Sequence, residues 1–289
     1  MANILKALAL EKNVRVYIMN STDRVNETIK RHDLWPSAAS VLGKTMTIAS
    51  LMGAMLKGEQ AITIKIDGNG PIGCVIADAN AQGEVRGYVT RPHVNFTTDS
   101  HELAEIQTLG YNGYIDVIKD LKMNELFTSS IEIITGDLAK DFTYYFMESE
   151  QTPSVVALGS KFDVDNTCLI CGGIIIQLLP GTPDDVIDKL EQKISLLNNF
   201  SQKLLDYPNL EDIIKMIFES DYEILEELAS CFKCSCNKEK FMGGLISLGK
   251  HEIQDIIDNE GKAQVVCHYC GDSYDFNIEE LNKLLKEAK

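Results

Sequence analysis

Residues 62–89, ITIKIDGNGPIGCVIADANAQGEVRGYV, decide the fold class of this 289-residue chain. Apolar residues alternate with polar ones on both sides of the run DGNGP at 67–71. Such alternation predicts half-buried strands, and the glycine, asparagine and proline between them favour a hairpin turn. A second turn over 78–83 leads to a third strand over 85–89. The stretch therefore predicts consecutive strands joined as hairpins.

Similar patterns continue on both sides of this stretch. Further strands are predicted at 14–19, 113–118, 130–135, 155–162 and 169–178. A buried helix is predicted over 42–56, and a helix with acidic residues in its first turn over 137–150. Because hairpins outnumber strand–helix–strand units, we expect residues 1–180 to form an α+β domain that is mainly antiparallel.

A helical linker is predicted to follow over 181–230. Thr182 can cap its first helix, and Pro183 suits the first helical position. Apolar residues then recur three, four or seven apart, at Val186, Leu190, Ile194, Leu197 and Leu204. This spacing predicts one amphipathic helix. The short segments 210–218 and 222–228 are predicted as two more helices.

The last part of the chain, 231–289, is predicted to be a small separate domain. Its patterns predict helices over 237–248, 250–259 and 278–289, and a small hairpin from 263–267 and 273–276. A unit of this size has too small a core to fold alone, and a structural zinc ion commonly supplies the missing stability.

Composition and charge exclude several classes of partner. The chain is 45% hydrophobic and 24% charged, as soluble globular proteins are, and its formal net charge is −16. An acidic surface disfavours nucleic acid and anionic lipid, since both attract basic proteins. No run approaches the roughly 20 apolar residues that span a bilayer, and we identify no signal peptide. We therefore expect a cytoplasmic protein with neither a nucleic acid nor a membrane as partner.

Cysteines are concentrated near the end of the chain, where five of the eight fall within residues 231–270. They stand as Cys231-x-x-Cys234-x-Cys236 and, thirty residues on, Cys267-x-x-Cys270. Two close pairs around a small folded segment are typical of tetrahedral zinc coordination. Spacing alone allows Cys231 with Cys234, or Cys234 with Cys236, as the first pair. His268 lies between two candidate ligands and is expected to point away.

The remaining cysteines are interpreted as core residues. Cys168 and Cys171 fall in a predicted strand, where an offset of three places side chains on opposite faces. We therefore expect that this pair does not chelate a metal. Cys74 is likewise expected to be a small buried side chain.

Four stretches together resemble one family, the redox-regulated thirty-three-kilodalton heat-shock chaperones, also called thirty-three-kilodalton chaperonins. They are GPIGCVIADANAQGEVRGYV at 70–89, SEQTPSVVALG at 149–159, GGIIIQLLPG at 172–181 and the region from CSC at 234–236 to CHYC at 267–270. The resemblance covers essentially the whole chain, and the four stretches occur in the family's order.

The resemblance implies one zinc ion per chain, held by Cys234, Cys236, Cys267 and Cys270. It implies that oxidation forms the disulfides Cys234–Cys236 and Cys267–Cys270, releases zinc and unfolds the C-terminal domain, which then no longer supports the helices of 183–229. The exposed apolar surface would bind unfolded or oxidatively damaged client proteins without ATP. Dimerisation on activation and transfer of clients to the seventy-kilodalton heat-shock system are also implied.

Two other functions compete with this one. A thiol–disulfide oxidoreductase could use Cys267 and Cys270, but such an enzyme needs one CxxC at a helix start in a thioredoxin-like setting. A nucleic-acid-binding zinc module would need a basic face, whereas 251–289 is rich in acidic residues. The glycines of 67–71 lack the Gly-Lys-Ser/Thr of a phosphate loop, and the five histidines form no nucleophile–base motif. We therefore expect that the protein is not an enzyme.

Overall fold

The computed structural model describes residues 3–97 and 103–288. These residues divide into two compact units, Met1–Lys233 and Cys234–Lys289, which are described separately. His101, one of the histidines considered above, lies outside the described residues.

The first unit contains two sheets and the helices that cover them. Its strands are β1 Asn3–Ala9, β2 Val14–Asn20, β3 Ala61–Asn69, β4 Val75–Asn80, β5 Glu84–Val89, β6 Gly110–Asp120, β7 Phe127–Glu132, β8 Ser154–Phe162, β9 Cys168–Leu178, β10 Tyr222–Ala229 and β11 Cys231–Phe232. Its helices are α1 Thr22–His32, α2 Pro36–Gly53, α3 Glu105–Leu109, α4 Leu138–Glu148, α5 Asp184–Ile194, α6 Phe200–Asp206 and α7 Leu210–Phe218.

Most strand pairs in both sheets are antiparallel. One sheet has the order β10-β1-β2-β9-β8, and the other has β11-β5-β4-β3-β6-β7. The short pair β11–β5 is parallel, and the other pairs in the described residues are antiparallel. The α+β class with mainly antiparallel sheets is therefore confirmed, and the hairpins predicted from 62–89 are β3, β4 and β5.

Helix α2 lies between the two sheets of this unit. It contacts β3, β4 and β5 of one sheet and β2, β8 and β9 of the other, so nearly all its side chains are buried. A helix that packs on both sides needs apolar or small residues all round, which explains its lack of a polar stripe. The far face of the five-stranded sheet carries a second apolar core with α5, α6 and α7.

The linker differs from its prediction in three places. The predicted helix 222–228 is strand β10, which pairs with β1, a strand that the sequence pattern did not reveal. The single helix predicted after Pro183 is broken between α5 and α6, where Asn199 adopts a left-handed φ of 53°. Thr182 does not cap α5, because its hydroxyl donates to the carbonyls of Asn13 and Leu179 instead.

The second unit has the elements that its sequence predicts. Helices α8 Lys238–Leu248, α9 Lys250–Asn259 and α10 Ile278–Glu287 surround a hairpin of β12 Ala263–Val266 and β13 Ser273–Phe276. Its core is small, with the buried residues Leu245, Ile253, Phe276, Leu281, Leu284 and Ala288. Asn277 and Glu280 form a capping box at the start of α10.

Candidate metal centre

Four cysteines of the second unit meet at one point. Cys234 and Cys236 lie in the extended segment before α8, and Cys267 and Cys270 lie in the turn between β12 and β13. Backbone hydrogen bonds shape that turn, since the Cys267 N–H donates to Asp272 and the Gly271 N–H donates to Cys267. Gly271 has a φ of 78°, which glycine adopts without strain.

The spacing of the four sulfur atoms fits a tetrahedral ion. All four lie within 4.8 Å of one another. The Cys234–Cys267 sulfur distance is 3.7 Å, and the Cys236–Cys270 distance is 3.3 Å. Sulfur ligands bound at about 2.3 Å to one tetrahedral ion would lie about 3.8 Å apart. These four cysteines are therefore positioned to hold a metal ion.

The surroundings of the sulfurs favour a cation. Cys267 and Cys270 are buried, and burial raises the pKa of both thiols above the ordinary value. Four neighbouring thiolates without a counter-charge would repel one another, whereas a bound cation offsets their charge and keeps them deprotonated.

Two side chains beyond the cysteines organise the site. The Tyr274 hydroxyl lies 3.2 Å from the Cys236 sulfur, and the Tyr274 ring packs on Phe241 with ring centroids 5.0 Å apart. Lys240 donates to the backbone carbonyl of Ser235, which lies between the first two cysteines, at 2.6 Å. Neither residue is predicted to take part in the site from the cysteine pattern. Only the position of Tyr274, four residues after Cys270 in a predicted strand, could have suggested the tyrosine.

The structure separates the other candidates from this group. Cys231 is exposed on β11 in the first unit, while the other four cysteines of the pattern belong to the second. Within residues 3–97 and 103–288, these four cysteines are the one group of three or more His, Cys, Asp or Glu side chains placed to share an ion, and His268 is not in it.

The remaining cysteines correct two expectations. Cys168 and Cys171 are buried as expected, but they belong to one apolar cluster rather than to opposite faces of β9. The register of β8 with β9 shifts between Lys161 and Phe162, so the regular alternation of faces fails there. Cys74 is only half-buried.

Comparisons with known proteins agree with the fold. A family model described as Hsp33 protein matches residues 3–277. The chain belongs to the Hsp33 family. The family resemblance of the sequence motifs is therefore confirmed.

Hsp33 relatives match the chain along nearly its whole length. It is 44% identical to the 33 kDa chaperonin of Bacillus licheniformis, over 98% of this chain and 99% of that protein. It is 45% identical to that of Bacillus subtilis, over 97% of both proteins. The crystal structure of a 33 kDa chaperonin from Thermotoga maritima superposes with a TM-score of 0.92 at 32% identity, covering 99% of this chain and 98% of that one.

These names describe chaperones rather than enzymes. In the described part of the chain, no helix combines the length and apolar character needed to cross a bilayer.

Proposed function

We propose that this protein is a redox-regulated, ATP-independent holdase, inactive when reduced and zinc-bound. In this proposal Cys234, Cys236, Cys267 and Cys270 are the ligands of one zinc ion per chain. The observation that carries it is the convergence of these four sulfurs, all within 4.8 Å, in a unit with little other core.

Zinc is the metal that suits this ligand set. Four thiolates in tetrahedral spacing are typical of structural zinc sites, which keep no open position for a substrate. The Tyr274 hydroxyl can donate to the Cys236 thiolate and so fix one ligand. Lys240 holds the backbone between Cys234 and Cys236 through Ser235.

Loss of the metal would remove most of the stability of the second unit. Structural zinc contributes roughly 10–16 kcal/mol of apparent free energy in zinc-finger peptides. Whole domains are commonly stable by only about 5–15 kcal/mol, so a unit with six buried core residues cannot replace that contribution. Oxidation of the ligands would therefore leave this unit so marginally stable that mild warming unfolds it.

The proposed products are the disulfides Cys234–Cys236 and Cys267–Cys270. Proximity in the folded site does not select this pairing, because short sulfur–sulfur distances join Cys234 to Cys267 and Cys236 to Cys270. Once the unit unfolds, however, the partner that lies two or three residues away has the higher effective concentration. Peptide mapping of the oxidised protein distinguishes the two pairings.

Client binding would follow from the apolar surface that unfolding exposes. The core of the second unit is one source of such surface. Helices α5, α6 and α7 are another, although α7 must first leave the five-stranded sheet, since Ile213, Ile214 and Ile217 are buried against it. A net charge of −16 would keep complexes with unfolded or oxidatively damaged clients in solution.

Three further parts of the proposal follow the family alone: dimerisation on activation, transfer of clients to the seventy-kilodalton heat-shock system and a cytoplasmic location. The last agrees with a zinc–thiolate switch, which needs a compartment that returns its cysteines to the reduced state.

The test is light scattering of an aggregating client with the reduced, zinc-loaded protein and with the peroxide-treated protein. We expect protection by the oxidised form only, together with release of one zinc ion per chain. Equal protection by both forms would refute the switch. Zinc-free reduced protein that turns over a disulfide substrate would instead support the alternative, a CxxC oxidoreductase.

A further inference from the structure

Two cysteines of the first unit meet because of an irregularity in strand β9. Lys161 pairs with Ile170, whereas the next residue of β8, Phe162, pairs with Cys168, so Leu169 is an extra residue in β9. An extra residue inverts the alternation of faces. Cys168 therefore lies on the same face as Cys171, and both join Val25 in one buried cluster while Leu169 is 48% exposed.

Side chains of the α1 region hold the backbone of both cysteines. The Asn26 amide donates to the Cys168 carbonyl at 2.8 Å and accepts from the Cys168 N–H at 2.9 Å. The Thr22 hydroxyl accepts from the Cys171 N–H at 3.0 Å, and the Ser21 N–H donates to the Cys171 carbonyl at 2.8 Å. These contacts satisfy backbone groups beyond the end of β2, and they hold the backbone of both cysteines against the α1 region.

Polar groups lie near the Cys171 sulfur, although its side chain is fully buried in an apolar cluster. The Thr47 hydroxyl lies 3.8 Å from the Cys171 sulfur and 2.7 Å from the Ser21 hydroxyl. A hydrogen bond from the Cys168 thiol holds the pKa of Cys171 below its ordinary value, against the effect of burial, which raises it; the Ser21 and Thr47 hydroxyls and the Lys44 ammonium also lower it. These groups stabilise the thiolate, which is the form of cysteine that reacts with oxidants, while burial of the sulfur restricts the access of oxidants to it.

We propose that Cys168 and Cys171 are a second redox-active pair, which a hydroperoxide oxidises to an intramolecular disulfide separately from the four-cysteine cluster. The Cys171 thiolate attacks the peroxide, the O–O bond breaks, and the products are a sulfenic acid and, after protonation, water. The Cys168 sulfur then attacks the sulfenic sulfur, the disulfide forms, and a second water leaves with the Cys168 proton. Two thiols and one hydrogen peroxide give one disulfide and two waters.

A cavity lies near the pair, although neither cysteine lines it. It has a volume of about 830 Å³, and its lining includes Lys44, Phe162 and Leu169, which adjoin the two cysteines in space or in sequence. Because the sulfurs themselves are buried, we expect this pair to oxidise more slowly than the cluster.

The test uses the whole reduced, zinc-loaded chain treated with hydrogen peroxide for increasing times. After acid quenching and denaturation, free thiols are labelled with iodoacetamide, disulfides are reduced, and the new thiols are labelled with N-ethylmaleimide. Trypsin releases residues 162–189, which contain Cys168 and Cys171 and no other cysteine. The tryptic peptide 66–86 contains only Cys74 and reports the background loss of a single thiol.

We expect both cysteines of 162–189 to acquire the second label. Without labelling or reduction, the same peptide should be lighter by two hydrogen atoms than the peptide with two free thiols. Iodoacetamide on both cysteines after prolonged peroxide would overturn the proposal, as would disulfides to other peptides. The disulfide should also form when Cys234, Cys236, Cys267 and Cys270 are all replaced by serine. If the disulfide does not form in that variant, the two sites are not oxidised independently. That result would leave the zinc proposal unaffected.

Single variants test which thiol attacks. Cys168→Ser should leave a sulfenic acid on Cys171 that the 1,3-dione dimedone traps, whereas Cys171→Ser should give no adduct on Cys168. The reverse result would overturn the assignment of Cys171 as the attacking thiol. Unchanged zinc content and thermal unfolding check that each variant is folded, and the wild-type labelling decides the main proposal if either variant is not.

Discussion

Leu281 offers a direct way to change the switch without touching a cysteine. It is fully buried in the core of the second unit, on α10. Leu281→Ala should lower the temperature at which peroxide activates the protein, because the metal-free unit depends on this core alone. The zinc-bound form should stay folded, since the metal contributes more than the substitution removes.

The size of the effect follows from the burial of this side chain. Replacing a buried leucine by alanine costs about 2–5 kcal/mol, and we take about 3 kcal/mol for a small core that can partly collapse. For a small domain, each 1 kcal/mol shifts the unfolding midpoint by roughly 4–8 °C. The activation temperature in peroxide should therefore fall by roughly 12–24 °C. The zinc-bound unit should remain folded at these temperatures, since a loss of about 3 kcal/mol of unfolding free energy is small beside the roughly 10–16 kcal/mol that the metal contributes.

The assay measures client light scattering after peroxide treatment at a series of temperatures, with zinc release followed in parallel. Leu138→Ala is the matched control, because Leu138 is a buried leucine of the first unit on α4, outside the helices of 183–229. We expect Leu281→Ala to protect clients at temperatures where wild type and the control do not. Identical activation temperatures for all three proteins would refute the idea that unfolding of the second unit limits activation. Activation of the reduced variant with zinc still bound would show that the metal contributes less than assumed.

Three other substitutions test single contacts. Tyr274→Phe removes the hydroxyl next to the Cys236 sulfur and should weaken zinc binding about 10–100-fold in a chelator competition, whereas Tyr222→Phe, which removes a hydroxyl of the first unit, should not. Unchanged affinity would exclude a role for the Tyr274 hydroxyl. Gly83→Ala should destabilise the first unit by about 1–3 kcal/mol in urea unfolding, because Gly83 has a φ of 80° and a Cβ there would lie 2.2 Å from a backbone oxygen of β10. Asp141→Ala should cost about 3 kcal/mol or more, since this buried carboxylate accepts three backbone N–H groups, and a loss below about 1 kcal/mol would contradict that.

Local sequence patterns predicted most elements because the residues that define them are neighbours in the chain. The hairpin of β3 and β4 follows from alternation on both sides of 67–71, and the helix over 137–150 is α4, with Asp137 as its cap. The small hairpin β12–β13 was predicted in the same way. In each case the turn or cap lies within a few residues of the element that it shapes.

The errors lie where distant partners decide the local structure. The acidic segment 222–228 has a composition that suits a helix, yet it pairs along β1, more than two hundred residues away, and becomes β10. The apolar spacing after Pro183 continues through Leu204, but Asn199 ends the regular helix so that α6 packs separately on β8 and β9. Tertiary pairing outweighs helix propensity in such cases, because propensity differences amount to tenths of a kcal/mol per residue.

The sequence by itself determined that four cysteines near the end of the chain form a metal-type pattern, since ligand spacing is a local property. It left open whether Cys231 or Cys236 completes the quartet with Cys234, Cys267 and Cys270. Only the tertiary structure grouped Cys236 with the other three, because the turn after β12 and the segment before α8 meet in one unit while Cys231 pairs along β5 in the other. Strand pairing also explains the Cys168–Cys171 contact. Strand β9 has one residue more than β8 at this point, which the spacing of the two cysteines does not reveal, and this residue turns both side chains to the same face.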